Sequence, residues 1–125
     1  MGTFTVTSVR SINVGSVGTG KRAVIEATGP ASYDTGGSLI DLSSANAVLV
    51  ALDSQASFTT VRGIAPIGVS PHGSDIYRPA FVPGASGGPA LGKLKLRDLS
   101  AGSDAEVAST TDLHTTTFVL EVFGT

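Results

Sequence analysis

Residues 15–30 read GSVGTGKRAVIEATGP, and how they fold decides between two architectures. Gly15, Gly20 and Lys21 fall where a phosphate-cradling loop, G-x-x-x-x-G-K-[ST], places its glycines and lysine. Such a loop delivers phosphate to the N-terminus of a long helix in an α/β fold, and it needs a hydroxyl after the lysine to hold Mg²⁺. Here Arg22 stands in the hydroxyl position. The continuation has a strand's character. Val24, Ile25 and Thr28 are β-branched, and Ala23, Ile25 and Ala27 alternate with the polar Arg22, Glu26 and Thr28. Gly29-Pro30 then stops the run after a strand's length. Residues 21–28 are therefore expected to form a strand fed by a glycine turn.

The rest of the chain votes the same way. Only 14% of the 125 residues are charged, against about a quarter in ordinary domains. Ser and Thr do the polar work, with 16 Gly and 6 Pro. Helix surfaces favour Glu, Lys, Arg and Gln, whereas Thr, Val and glycine-rich turns suit short strands. One domain spanning 1–125 is expected, long enough to bury roughly two thirds of its unfolded surface. Without cysteine there is no disulfide framework, thiolate metal site or cysteine nucleophile. A net charge of -2 makes no electrostatic case for nucleic acid or an anionic membrane. No apolar run approaches a membrane span, and the opening MGTFTVTSVR lacks a secretory pattern.

Individual strands can be read from alternation. In TFTVTSV, Phe4 and Val6 oppose Thr3, Thr5 and Thr7, so residues 1–10 are expected as an N-terminal arm or an edge strand. GPASYDTGGS reads as a turn-rich loop in which Gly36 and Gly37 supply positive φ after Asp34. AVLVAL at 47–52 reads as a central strand; a helix through SSANAVLVALDSQ, capped by Ser43 or Ser44, is the competing reading. Further strands are expected around 57–63, around 75–82 with Pro79 confining it to an edge or bulge, at 91–98 and at 115–123. Seven or eight short strands predict an all-β sandwich, jelly roll or small barrel. Its core would draw on Phe4, Val24 or Ile25, Val48, Val50, Leu94, Leu96, Phe118, Leu120 and Val122.

GASGGP at 84–89 resembles the nucleophile segment of chymotrypsin-like serine proteases, with Ser86 as nucleophile and the amides of Gly84 and Ser86 as oxyanion hole. Ala85 replaces the aspartate of that segment. His72 and Asp75 would have to complete the triad within fifteen residues of Ser86, in a chain too short for the two barrels that fold requires. A Gly/Pro loop between strands is the expectation. His72 near Asp75, and Asp112-Leu113-His114, have no metal-ligand spacing. No catalytic residue, metal or cofactor is expected.

One charged pattern is ordered. Lys93, Lys95 and Arg97 alternate with Leu94 and Leu96, so on a strand the three cations share one face. The following DLSAGSDAEVASTTD holds Asp98, Asp104, Glu106 and Asp112 and no cation. The row either guards an outer strand against aggregation or docks on an acidic partner.

Across most of its length outside residues 58–90, the chain resembles a family of small tailed-bacteriophage structural proteins, the head decoration or cement proteins. The likeness is carried by TFTVTSVR, by the strand opening at GKR, by the YDTGG loop leading to LIDL, by GKLKL, and by the ending AEVASTTDLHTTTFVLEVFG. The resemblance implies a non-enzymatic protein made in the host cytoplasm that binds the outside of an assembled capsid. Its partner would be the major capsid protein, and its typical state a homotrimer at three-fold or quasi-three-fold positions. Lys93, Lys95 and Arg97, with Thr3, Phe4 and Thr5 of the low-charge first strand, are the expected partner contacts. The alternative is a tail, receptor-binding or carbohydrate-binding β module. That reading calls for exposed aromatics, and the chain has two tyrosines, Tyr33 and Tyr77, and no Trp.

Overall fold

The structure, a computed structural model, describes residues 2–14, 20–70, 77–83, 90–99 and 105–125, with the backbone alone for 69 and 70. Along the chain lie β1 (Thr5–Val14), β2 (Lys21–Thr28), β3 (Ser38–Asp41), α1 (Ala47–Leu52), β4 (Val61–Ser70), β5 (Tyr77–Pro83), β6 (Leu91–Asp98), β7 (Ala105–Glu106) and β8 (Thr117–Gly124). The strands form two antiparallel sheets: sheet I in the order β1-β2-β8-β4, and sheet II in the order β3-β6-β5, with β7 also paired to β6. This is the all-β class that the composition and alternation predict.

Alternation builds the core. On β2, Ala23, Ile25 and Ala27 face inward; on β8 Phe118, Leu120 and Val122; on β6 Leu94 and Leu96; on β3 Ile40. These side chains from both sheets belong to one buried cluster. β2 and β8 pair without a register break from Lys21–Gly124 to Thr28–Thr117, so their inward sets stay aligned along the whole strand. Phe4 meets Phe118 edge to face at 5.4 Å. Residues 2–4 stitch the two sheets. The Phe4 N–H donates to the Leu39 carbonyl and the Leu39 N–H to the Gly2 carbonyl, beside a parallel bridge between Thr3 and Leu39. The chain then enters sheet I as its edge strand β1.

AVLVAL is a helix, correcting its reading as a central strand. Six apolar residues fit either element, and the flanking chemistry decides. Asn46, rather than Ser43 or Ser44, is the N-cap: its side chain accepts from the Leu49 N–H and donates to the Asp41 carbonyl. The helix lies outside both sheets and buries Leu49 alone, so Val48 is 52% exposed and leaves the predicted core, and Val50 is half-buried. Ile25 rather than Val24 is the inward residue of β2. The strand expected around 57–63 begins later and runs to Ser70. Gly63, Pro66, Gly68 and two register shifts hide its alternation. The same features blunt β4 as an edge, as two register shifts do on β1 and Pro79 and Pro83 do on β5.

Candidate partner-binding face

On β6 the leucines turn inward, Leu94 and Leu96 fully buried, and Lys93, Lys95 and Arg97 turn outward. Register supplies their neighbours. Lys93 lies between Val82 of β5 and Leu39 of β3, and Lys95 lies opposite Ala80. Arg97 lies between Arg78 of β5 and Glu106 of β7. Arg78 is exposed, faces the same way as Arg97, and brings to this face a fourth of the chain's eight cations. It is absent from the predicted contacts because only the pairing of β5 with β6 sets it opposite Arg97. Thr3, beside Leu39, extends the row that contains Lys93. Thr5 is exposed where the chain enters sheet I, whereas Phe4, 3% exposed, spends its side chain on the core. Thr3, Phe4 and Thr5 also line a cleft of about 350 Å³ with Asp41, Asn46 and Val48.

Two carboxylates share the face among the described residues. Asp41, at the far end opposite Leu91, accepts from the N–H and hydroxyl of Ser43 at 2.9 and 2.6 Å. Glu106 sits beside Arg97 and is built into a hydrogen-bond network. β3 stops pairing at Leu94 and β7 starts at Arg97, leaving Leu96 between them on β6. The buried Tyr33 hydroxyl fills that gap: it accepts from the Leu96 N–H at 2.9 Å and donates to Glu106 Oε1 at 3.0 Å. The Gly36 N–H donates to the same oxygen at 2.5 Å, and Oε2 lies 4.0 Å from Lys95 Nζ. Gly36 and Gly37 adopt φ of 90° and 117° to turn the loop back. A Cβ on Gly37 would press on Lys93 Cβ at 3.0 Å. The Val107 N–H donates to the Leu96 carbonyl, the Tyr33 N–H to the Thr111 carbonyl, and the Thr110 N–H to the Tyr33 carbonyl. YDTGG, GKLKL and EVASTTDL, far apart in the chain, thus meet in one network beneath the basic row.

The network shifts both of its titrating groups. Burial pushes the Tyr33 phenol up to about 12; the Leu96 N–H opposes the rise and the Glu106 carboxylate adds to it. The Gly36 N–H, helped by the Tyr33 hydroxyl and the Lys95 and Arg97 charges, holds the Glu106 carboxyl below its usual range against the effect of burial.

Lys21 opens a strand, not the turn before a helix. Its ammonium donates to the Ser57 carbonyl and lies 5.1 Å over the Phe58 ring. Burial lowers its pKa, and Asp53 opposes that shift. Ser86, Gly84, His72 and Asp75 lie outside the described residues. Asp112 and His114 form a local turn, the carboxylate accepting from the His114 N–H at 3.0 Å. Among the described residues no cluster of His, Asp or Glu has a metal site's size, and no helix is long and apolar enough to cross a membrane. No family profile, curated protein or solved structure matches the chain.

Proposed function

We propose that this chain is a head decoration protein of a tailed bacteriophage: a non-enzymatic virion component that binds the outer surface of an assembled capsid and cements neighbouring copies of the major capsid protein. One observation carries the reading. The three segments most specific to the resemblance, YDTGG, GKLKL and EVASTTDL, converge on the Tyr33–Glu106 network. Their polar groups engage one another and brace a basic sheet face, so what these segments build together is a rigid surface. Such a surface suits docking, and docking needs no cofactor.

The physics of a particle favours this use. A shell offers many identical sites, so a homotrimer at a three-fold position engages several subunits at once and gains about 10²–10⁴ in avidity over a single contact. Binding that requires the assembled state stabilises that state by mass action. The protein would be made in the host cytoplasm and end on the capsid exterior. The alternative, a carbohydrate-binding or receptor-binding module, draws little support from the tyrosines, since Tyr33 is buried and Tyr77 packs against Phe118 of the core.

Purified virions test the proposal. The chain should be present in a copy number comparable to the capsid subunit, and light scattering of the isolated protein should report a trimer. Replacing Lys93, Lys95 and Arg97 together by Ser should lower virion occupancy and flatten its dependence on salt, because exposed charges are screened beyond about 8 Å at physiological ionic strength. Virions that lack the chain would end the proposal. Unchanged occupancy of the triple variant at every salt concentration would remove the basic face from it.

A further inference from the structure

Gly2 is buried at the head of the segment that stitches the two sheets, and its N–H donates to Asp34 Oδ2 at 2.6 Å. The pocket around it admits only glycine. A Cβ there would run into the Ser32 carbonyl oxygen and stand 2.7 Å from Pro30 Cβ and 3.0 Å from the Ser38 hydroxyl oxygen. Asp34 is itself held in place, because its N–H donates to the Ser38 hydroxyl at 3.1 Å and its carbonyl accepts from the Gly37 N–H at 2.9 Å. All eight lysines and arginines lie among the described residues, and none forms an ion pair with Asp34. A half-buried carboxylate therefore meets the Gly2 nitrogen with no lysine or arginine paired to it.

We propose that the peptide bond on the N-terminal side of Gly2 is a processing site, and that the α-ammonium released there is the counter-ion of Asp34. Hydrolysis adds one water across the Met1–Gly2 bond. The part ending in Met1 leaves with the water's oxygen as a new carboxylate, and the Gly2 nitrogen takes both hydrogens, becoming an ammonium with three donors where the amide has one. An α-amine is mostly protonated at neutral pH, and a hydrogen bond charged on both sides is about twice as strong as a neutral one. The surroundings suit such a group. Besides Asp34, the Ser32 carbonyl and the Ser38 hydroxyl stand around the same glycine, the kind of acceptor cradle that captures an N-terminal amine. A peptidase that cuts ahead of a small residue meets the residue the pocket demands. Cut before residues 30–38 fold around it, the bond is not protected by its later burial. The ion pair then anchors residues 2–4 and, through the bridge of Thr3 to Leu39, one end of the row that contains Lys93. The proposal goes beyond the head-decoration reading and does not rest on it.

Intact mass and N-terminal sequencing of the full chain made in bacterial cytoplasm should read Gly2 first; a chain that keeps Met1 overturns the cleavage. Two forms released from a cleavable fusion, one beginning at Gly2 and one a single serine earlier, test the ion pair. The Gly2-first form should have an unfolding equilibrium constant about three- to tenfold lower in urea. Acetylating its α-amine, which keeps an N–H and removes the charge, should raise that constant to the value of the serine-extended form. Asp34→Asn keeps an oxygen for the Gly2 nitrogen and should abolish the difference between the two forms. The α-amine should also react more slowly with an acylating reagent at neutral pH in the parent than in Asp34→Asn. Equal stability of the two forms overturns the ion pair, as does a difference that survives unchanged in Asp34→Asn. None of these readouts involves virions, so this proposal and head decoration fail separately.

Discussion

The outer faces of the two sheets use the same alternation for opposite ends. On sheet I, charges answer one another across strands: Arg10 of β1 bonds Glu26 of β2 at 3.1 Å, and Arg22 of β2 approaches Glu121 of β8 at 3.8 Å. On sheet II, among the described residues, Arg78, Lys93, Lys95 and Arg97 outnumber Glu106 and Asp41. Exposed ion pairs contribute about 0–1 kcal/mol each, so stability alone does not account for the contrast. What differs is the field each face presents. With Arg62 of β4 also exposed, sheet I carries three cations to two carboxylates among the described residues and sheet II four to two, so on a chain of net charge -2 sheet II gains more from an anionic cover.

Because both faces rest on one core, the largest effects should fall beneath them and fall alike. Leu120→Ala under sheet I and Leu96→Ala under sheet II should each cost about 2–5 kcal/mol in chemical denaturation, since both side chains are fully buried. A much smaller loss at Leu96 would mean that the basic face lies on a weakly packed sheet.

Tyr33→Phe should come next, at about 1–3 kcal/mol, because it strands the Leu96 N–H and removes a donor from Glu106. The same hydroxyl sets an alkaline limit. Its folded pKa of about 12 lies above the ordinary 10, so the folded state holds the proton more tightly than the unfolded chain does. The stability tied to that proton is complete below pH 10 and is lost as pH rises through 12. At about 1.4 kcal/mol per pH unit the loss is on the order of 2–3 kcal/mol. Melts across this window should show the decline in the parent and a shallower one in Tyr33→Phe.

Glu106 has the opposite sign. Its carboxyl is held below the usual range, so its contribution is present above the unfolded pKa and is lost as the pH falls through the folded one. Acid melts of Glu106→Gln should lack that part of the slope. A parent and variant with superimposable acid limbs would show that the Gly36 and Tyr33 bonds are equally good with a neutral partner.

The smallest effects separate the faces most cleanly. Replacing Lys93, Lys95 and Arg97 by Ser should change the stability of the free protein by no more than about 1 kcal/mol. Arg22→Ser on sheet I should change it by less than about 0.5 kcal/mol and leave virion occupancy at the parent level. An equal loss of occupancy from the Arg22 variant would erase the distinction between the two faces.

Much of this fold was legible one residue at a time. Alternation in AVIEAT, GKLKL and TFVLEV determined three strands and their inward faces, and with them the common outward direction of Lys93, Lys95 and Arg97, because side-chain direction in a strand is a local property with a period of two. Asp34-Thr35-Gly36-Gly37 announced a turn for an equally local reason, the positive φ that glycine accepts. Tertiary structure decided what has no local cause. AVLVAL differs in having a local cause, the Asn46 cap and its bond to the Asp41 carbonyl, which the apolar pattern alone does not carry. β4 became a strand despite Gly63, Pro66 and Gly68 because β8 offered it an edge. Tyr33 met Leu96 and Glu106 across 63 and 73 residues of chain, and Arg78 faced Arg97 only once β5 had paired with β6. A pattern of period two says which way each side chain points; which strand lies beside it depends on how the buried faces pack, and that is a property of the whole chain.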